Sequence, residues 1–206
     1  MSPGTLLDQF DHIDIYLFDQ LLRGRITKGM RVLDCGCGTG RNLFYLLREG
    51  FDVWATDRDP AAVAAARTLA QAVAPDYRAD RFSVDLVERL PFSDAAMDVV
   101  VSNAVLHFAR DDQHFDAMML EMWRVLKPGG LFFARLASSI GMAERMQPLG
   151  NGRFVMPDGS ERYLVGEARL GEMTGRLGAR QLDPLKTTIV QDQRCMTTWV
   201  LARQYG

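Results

Sequence analysis

Short apolar runs alternate with helical segments from residue 30 to residue 137, and this alternation restricts the fold more than any other feature of the chain. Five runs have the length and composition of buried strands: "MRVLDC", "DVWATD", "RFSVD", "MDVVVSN" and "GLFFARLA". Helical patterns lie between most of them, including one that begins at Asp59 and Pro60, an N-cap followed by proline. Strand, helix and strand in succession form right-handed parallel crossovers. The sequence therefore predicts an α/β fold with a doubly wound sheet.

The segments on either side of this core have weaker patterns. Apolar residues at helical spacing over 6–21 predict one amphipathic helix or two short ones before the first strand. Residues 138–163 are rich in glycine, proline and methionine, and they predict an excursion over the sheet edge with a small hairpin centred on "PDG". We expect a helix near 165–178, followed by an antiparallel hairpin of strands near 180–190 and 195–203. Between the third and fourth strands, "LVERLPFSDAA" predicts a loop or a single turn.

Length and charge narrow the classes of protein that the chain could represent. With 206 residues, of which 48% are hydrophobic and 24% charged, the chain is long enough for one well-buried domain. The formal net charge is -2 and no stripe of lysine and arginine is present, which argues against nucleic acid as the main partner. No stretch reaches the roughly 18 apolar residues of a membrane span, and the first residues lack a basic or apolar leader. We therefore expect a cytoplasmic protein with no membrane partner.

The stretch "VLDCGCGTGRN", residues 32–42, runs from a predicted strand into a turn with three glycines. Gly36, Gly38 and Gly40 can adopt positive φ and let the backbone approach a ligand closely. The dinucleotide fingerprint GxGxxG would need a glycine at position 41, where the chain has Arg41. A phosphate-binding P-loop would need lysine followed by serine or threonine, and the chain has neither there. The turn therefore argues against a nicotinamide or flavin cofactor and against a cradled phosphate.

The chain has three cysteines, and Cys35 and Cys37 are too close in sequence for an easy disulfide bridge. Two thiolates could hold zinc only with two further ligands, yet Cys195 is remote and only three histidines are present. We therefore predict no metal site and interpret both cysteines of the turn as small packing residues.

Aspartates stand at the ends of three predicted strands, at the edge where a doubly wound sheet binds its ligand. Asp34 could orient the glycine turn or accept hydrogen bonds from an ammonium group. Asp57 could accept both hydroxyls of a ribose or, alternatively, serve only as a strand-ending cap before Asp59. Asp85 could accept from an adenine amino group, with the backbone of Leu86 reaching a ring nitrogen. A solvated loop aspartate is the competing interpretation of Asp85.

Taken together and in this order, "VLDCGCGTG", "ATD", "VD", "FSDAAMDVVVSNAVLHF" and "LKPGGLFF" resemble the motifs of the class I S-adenosylmethionine-dependent methyltransferases. The resemblance covers about residues 30–137. It implies a Rossmann-like three-layer sandwich whose seven-stranded sheet is mostly parallel, with an antiparallel last strand. It also implies S-adenosylmethionine as the cofactor and S-adenosylhomocysteine as the product. By this resemblance Asp34, Gly36, Cys37 and Gly38 contact the methionine part of the cofactor, Asp57 the ribose, Asp85 and Leu86 the adenine, and Asn103 with Ala104 the methyl group; Gly40, Asn42 and Arg58 complete the cofactor-binding set.

The methyl group of this cofactor lies on a positively charged sulfur, so the protein mainly has to align an acceptor and exclude water. An alcohol or a protonated amine would also need a proton acceptor, and His107 is the best candidate for that general base. His107 could equally be a packed histidine that caps the loop. Arg135 could bind an anionic acceptor or pair with a nearby acid. His12 and Tyr16 could fold over the site as a lid, although Tyr16 is also typical of a core position.

We expect one methyltransferase domain over residues 1–206, with residues 1–30 as an N-terminal helical lid and residues 138–163 near the acceptor site. A small-molecule acceptor is favoured because no basic patch or additional domain could grip a polymer. One alternative is a cofactor-binding sensor or partner subunit without transfer activity. Another is a tellurite or thiol methyltransferase, which "GRNLFYL" resembles. A nicotinamide oxidoreductase is a third, although a YxxxK pair is missing from the expected region. The sequence specifies neither the acceptor nor the oligomeric state.

Overall fold

The computed structural model describes residues 5–205, and most of its strands form one central sheet. The strands are β1 (Arg31–Cys35), β2 (Asp52–Asp57), β3 (Phe82–Val84), β4 (Met97–Asn103), β5 (Leu126–Ser138), β6 (Gln147–Gly150), β7 (Arg153–Val155), β8 (Glu161–Tyr163), β9 (Ala179–Gln181), β10 (Lys186–Val190) and β11 (Arg194–Arg203). The eight-stranded sheet has the order β10-β11-β5-β4-β1-β2-β3, with β9 beside β11. Strands β1 to β5 run parallel, whereas β11 is antiparallel to its three partners β5, β9 and β10.

The helices are α1 (Leu6–Phe10), α2 (Ile15–Leu22), α3 (Leu43–Arg48), α4 (Pro60–Val73), α5 (Asp112–Val125) and α6 (Glu167–Arg176). The Asp14 side chain caps α2, Asp59 caps α4 ahead of Pro60, and Asp111 caps α5. Each of these carboxylates accepts a hydrogen bond from a backbone N–H that the helix itself leaves unpaired. The segment before β1 thus forms two short helices; its residues 1–4, like residue 206, lie outside the described part of the chain.

Apolar side chains fill both faces of the central sheet, because successive residues of a strand point to opposite sides. In β1, Val32 packs with α2, α3 and α4, whereas Leu33 packs on the other face with α5 and α6. In β4, Val99 and Val101 join the first of these clusters, and Val100 joins the second. The result is the three-layer arrangement of helices, sheet and helices, which confirms the predicted α/β fold.

The structure differs from the prediction in two segments after β5, residues 138–163 and residues 180–190. The strand expected near 180–190 is divided into β9 and β10, because the stretch between them contains Pro184, which has no N–H for a sheet hydrogen bond. The excursion 138–163 forms a separate three-stranded sheet, β6-β7-β8, whose β7 and β8 flank the predicted "PDG" turn. Residues 85–96 contain no helix, as expected. Among residues 5–205, every helix is too short or too polar to cross a bilayer.

Candidate functional site

The turn between β1 and α3 is held in its shape by backbone contacts. Gly36, Gly38 and Gly40 have φ of 75°, 55° and 95°, values that side chains other than glycine rarely adopt. The N–H groups of Gly36 and Cys37 donate to the carbonyl oxygen of Thr56 at 2.7 and 2.9 Å. A Cβ on Gly36 would overlap the Val105 side chain, so the close approach of the two segments also requires glycine there.

Asp57 connects this turn to the end of β2. Its Oδ2 accepts from the N–H of Gly38 at 2.8 Å, and its Oδ1 accepts from the N–H of Asp59 at 2.9 Å. Both carboxylate oxygens therefore accept hydrogen bonds from backbone N–H groups, which agrees with the capping interpretation. Each oxygen can still accept a further hydrogen bond. Gly38 has open space where its Cβ would lie, so its backbone faces solvent.

A cleft of about 670 Å³, which we call the glycine-turn cleft, opens at these strand ends. Nine of the twelve residues predicted to bind the cofactor line it, namely Gly36, Cys37, Gly38, Asn42, Asp57, Arg58, Leu86, Asn103 and Ala104. Gly40 lies instead on a neighbouring recess with His12, and Asp85 lines an adjoining cavity with Arg58 and Leu86. The alternation of strands and helices thus brings residues that are far apart in sequence to one edge of the sheet.

Asp34, the twelfth residue, lies buried behind the turn at the end of β1, with 2% of its surface exposed. Neither carboxylate oxygen has a hydrogen-bond partner among the described residues. Burial raises the pKa of Asp34 to about 7, an effect that the positive charge of Arg41 partly offsets. This carboxyl group is therefore an unsatisfied polar group close to the cleft.

Sequence reasoning missed several residues of the cleft wall. Val105 packs against the glycine turn, and Phe108 is 45% exposed at the cleft, with the Arg58 guanidinium 5.7 Å from its ring centre. His114, whose Nε2 is 2.9 Å from the Glu88 carboxylate, lies farther along the wall. Phe108 directly follows the candidate base in "NAVLHF", which is a usable signal, whereas no spacing pattern identifies Val105, His114 or Glu88.

A second cavity of about 350 Å³ shares Arg41, Asn103, Ala104 and Phe108 with the glycine-turn cleft. We call it the arginine cavity, because its lining residues are Asp14, Arg41, Asn103, Ala104, His107, Phe108, Arg135, Ala137, Met156, Asp158, Ser160, Arg162, Val190, Arg194 and Met196. These residues come from the turn after β1, the start of α2, the end of β4 with the segment that follows it, β5, the small-sheet region and the β10-β11 hairpin. The excursion 138–163 and the N-terminal segment thus both contribute to one cavity.

The wall between the two cavities contains a strained backbone position. Ala104 has φ of 63°, in the left-handed region that disfavours a residue with a Cβ, and its N–H donates to the Arg135 carbonyl at 2.7 Å. The Nδ2 of the neighbouring Asn103 is buried and has no hydrogen-bond partner within residues 5–205. Strain and an unsatisfied donor at adjacent residues are typical of a functional site.

His107 lines the arginine cavity and is buried. Its Nδ1 accepts from the backbone N–H of Ala137 at 3.2 Å, so the hydrogen of the neutral ring lies on Nε2. Burial, together with the positive charges of Arg162 and Arg194, lowers the pKa of His107 to about 4. The general-base role stays a prediction, and the ring's hydrogen bonding weighs against it, because Nδ1 already accepts from Ala137 and Nε2 carries the hydrogen.

The sequence left two partners open for Arg135, an anionic acceptor and a nearby acid, and the structure shows the acid. Its Nε lies 3.3 Å from Oδ2 of the buried Asp14, and its guanidinium lies 4.5 Å from the ring centre of Tyr16. Its Nη1 is buried and has no hydrogen-bond partner in the described part of the chain. Arg135 therefore pairs with an acid, lines the cavity and retains a donor that has no partner among the described residues.

The three cysteines are buried and unpaired. Cys35 and Cys37 belong to the two hydrophobic clusters of the core, and burial raises the pKa of both thiols. Within residues 5–205, no group of three histidine, cysteine or acidic side chains is arranged to hold a metal ion.

Comparison with known proteins gives a consistent result. A family model described as a methyltransferase domain matches residues 33–134. The malonyl-[acyl-carrier protein] O-methyltransferase of Pectobacterium atrosepticum is 33% identical over 110 residues, which cover 53% of this chain and 40% of that protein. The chain spans about half the length of the curated relatives it matches.

Two solved structures share the fold over most of the chain. An S-adenosylmethionine-dependent methyltransferase of Methanosarcina mazei has a TM-score of 0.73 at 19% identity, and the match covers 90% of this chain and 98% of that one. The 1,6-didemethyltoxoflavin-N1-methyltransferase of Burkholderia thailandensis, solved with 1,6-didemethyltoxoflavin and S-adenosylhomocysteine, has a TM-score of 0.68 at 20% identity, covering 92% and 76%.

Proposed function

Because the chain belongs to the class I S-adenosylmethionine-dependent methyltransferase family, we propose that it transfers a methyl group from S-adenosylmethionine to a small-molecule acceptor. One observation carries the proposal. The glycine-turn cleft and the arginine cavity meet at Asn103 and Ala104, the two residues that the sequence motifs assign to the methyl group. A cofactor on one side of this wall and an acceptor on the other would have their reacting atoms close together.

The residues of the glycine-turn cleft fit such a cofactor. The backbone of Gly38 is open to the cleft, and the Asp57 carboxylate beside it retains acceptor capacity for ribose hydroxyls. Asp34 is a buried acceptor without a donor, and Asn103 is a buried donor without an acceptor. A ligand with ammonium, carboxylate and hydroxyl groups would offset the cost of leaving both unpaired. When bound, S-adenosylmethionine supplies a methyl group activated by the positive sulfur.

The chain's own residues then have three tasks on the acceptor side. Asn103 and Ala104 fix the position of the wall, since Ala104 is tied to β5 through Arg135. Phe108 forms part of both cavities and would exclude water from the junction. The side chains of Arg135 and His107 present hydrogen-bond donors to the acceptor side.

The size and position of the arginine cavity support a small acceptor. Its volume of about 350 Å³ suits one compact molecule. The start of α2 and the small-sheet region both contribute lining residues to it, and we propose that these segments act as the lid and as the determinant of acceptor identity. The toxoflavin-precursor methyltransferase that shares the fold was solved with a small-molecule ligand.

Calorimetric titration with S-adenosylhomocysteine tests the cofactor assignment. Asp57→Ala removes the acceptor for the Gly38 N–H together with the proposed ribose contact. We expect affinity to fall by about 1 to 3 kcal/mol, or roughly 5-fold to 150-fold. Asp52→Ala, which removes a carboxylate from the opposite end of β2, is the matched control and should bind like the unmodified protein. Equal affinity of the Asp57→Ala variant would refute the ribose assignment.

A transfer assay tests the activity itself. The full chain is incubated with cofactor labelled at the methyl group and with fractionated metabolites, and labelled products are identified. Transfer to a small molecule is the expected result. Binding of S-adenosylhomocysteine without transfer to any fraction would favour the sensor or partner-subunit alternative.

A further inference from the structure

Positive charge dominates the arginine cavity. Arg41, Arg135, Arg162 and Arg194 line it, whereas its only acidic residues are Asp14 and Asp158. The cavity therefore has a net charge of two positive units, although the whole chain has a net charge of -2. Concentrated charge of one sign in a small cavity raises the local concentration of ligands of the opposite sign.

Both acids of the cavity already have partners, Asp14 through both carboxylate oxygens and Asp158 through Oδ1 alone. Asp14 caps α2 by accepting from the N–H of Tyr16 at 2.9 Å, and its other oxygen contacts Arg135. Asp158 accepts from both the N–H and the hydroxyl of Ser160, at 2.9 and 2.6 Å. Neither aspartate forms an ion pair with Arg162 or Arg194 in the described part of the chain.

The arginines, in contrast, have donors to spare. Arg194 makes no side-chain hydrogen bond or ion pair with any residue between 5 and 205, and Nη1 of Arg135 is buried without a partner. Arg162 donates to the Glu161 carbonyl through Nη1 only, and its guanidinium lies 5.0 Å from the ring centre of Phe108. Guanidinium groups bind carboxylate oxygens through two parallel hydrogen bonds, so these free donors match an anionic group.

His107 adds to this donor surface. The hydrogen bond from Ala137 to Nδ1 leaves the ring with an N–H at Nε2, which is a donor. The remaining wall is apolar and includes Met156 and Met196. The cavity thus combines cationic donors with an apolar surface, and both oxygens of Asp14 and one oxygen of Asp158 already have partners.

We propose that the methyl acceptor is a small molecule with an anionic group, held by Arg135, Arg162 and Arg194 in the arginine cavity. This inference rests on the proposed function, because it takes the cavity to be the acceptor site. A carboxylate is the simplest such group, since it fits the fork of a guanidinium and the apolar wall accommodates the rest of the molecule. A cationic acceptor would be repelled by the net positive charge of the cavity, and a neutral acceptor could accept a hydrogen bond but would not offset that charge.

Calorimetry with benzoate and benzamide, two probes of equal shape and different charge, tests the inference. The full chain is titrated with each probe, with and without saturating S-adenosylhomocysteine. We expect benzoate to bind at least 10-fold more tightly than benzamide. The double variant Arg162→Gln with Arg194→Gln should lose most of this preference. The control of equal charge change, Arg78→Gln with Arg180→Gln, alters two exposed arginines outside the cavity and should retain the preference.

Each outcome decides one proposal. Equal binding of the two probes, no binding of benzoate, or a preference that survives the double variant would overturn the anionic acceptor. Far-ultraviolet circular dichroism checks that the double variant folds, and its two arginines are not in the hydrophobic core. Failure of the unmodified chain to bind S-adenosylhomocysteine would instead overturn the proposed function. The two failures can be distinguished, because benzoate binding is also measured without S-adenosylhomocysteine.

Discussion

The glycine-turn cleft and the arginine cavity share a wall but are built in different ways. The cleft takes its shape from backbone: a turn with positive φ, carbonyl acceptors on β2 and a carboxylate that binds N–H groups. The cavity takes its character from side chains that lie far apart in sequence, such as Asp14, Arg135 and Arg194. The difference teaches that one region is specified by local conformation and the other by tertiary placement of charge.

Substitution of Gly36 should have the largest effect, because the cleft depends on backbone geometry. In Gly36→Ala, the new Cβ meets the side chain of Val105 and the residue keeps φ of 75°. Strain and overpacking together should reduce the free energy of unfolding by about 2 to 5 kcal/mol, as measured by urea denaturation.

Two further variants separate the strain from the overpacking. Gly50 has φ of 76° and open space where a Cβ would lie, so Gly50→Ala should reduce the free energy of unfolding by only about 1 kcal/mol. Adding Val105→Ala to Gly36→Ala should recover part of the loss, because it removes the overlapping methyl groups. If Gly36→Ala were no worse than Gly50→Ala, the close packing of the turn would not be needed.

Stability against pH should also separate the two regions, because a buried ionisable group lies beside each of them. Asp34 has a pKa raised to about 7, so the folded state holds a proton that the unfolded state has lost above about pH 4. Its contribution to stability is therefore present at low pH and is lost as the pH rises towards 7. Relative to the unmodified protein, Asp34→Asn should gain roughly 4 kcal/mol between pH 4 and pH 8.

His107 should have the opposite dependence. Its pKa is lowered to about 4, so the unfolded state binds a proton below about pH 6.5 that the folded state does not bind. Its contribution is present above pH 6.5 and is lost as the pH falls towards 4. Urea denaturation at several pH values should show His107→Gln losing roughly 3 kcal/mol relative to the unmodified protein as the pH rises through this window. Parallel profiles of the two variants would contradict both assignments of charge state.

The sequence predicts the glycine-turn cleft better than the arginine cavity, because local conformation specifies the cleft and tertiary packing specifies the cavity. Parallel strands end at one edge, so the positions of Gly38 and Asp57 follow from the order of strands and helices alone. Arg162 and Arg194 line the same cavity only because of how the small sheet packs near β11, and no pattern of apolar residues in the sequence predicts that packing. The tautomer of His107 depends on one backbone N–H from β5. Sequence patterns indicate that such residues exist but not which groups they contact.

The smallest expected effect concerns the hydrogen bond between the N-terminal helices and the edge of the sheet. The hydroxyl groups of Tyr16 and Thr188 lie 2.9 Å apart, and Tyr16→Phe removes that bond while it keeps the ring beside Arg135. A double-mutant cycle with Thr188→Val should give a coupling free energy of about 1 kcal/mol. Tyr45→Phe is the control, because its hydroxyl makes no hydrogen bond within residues 5–205.

S-adenosylhomocysteine affinity in the Tyr16→Phe variant sharpens the comparison of the two regions. The Tyr16 ring contacts Arg135, which lines the arginine cavity, whereas the turn of the glycine-turn cleft is held by backbone hydrogen bonds to β2. The affinity should therefore equal that of the Tyr45→Phe control. A loss of affinity in Tyr16→Phe comparable to that of Asp57→Ala would mean that the N-terminal helices also determine the cleft, and that the two regions act as one site.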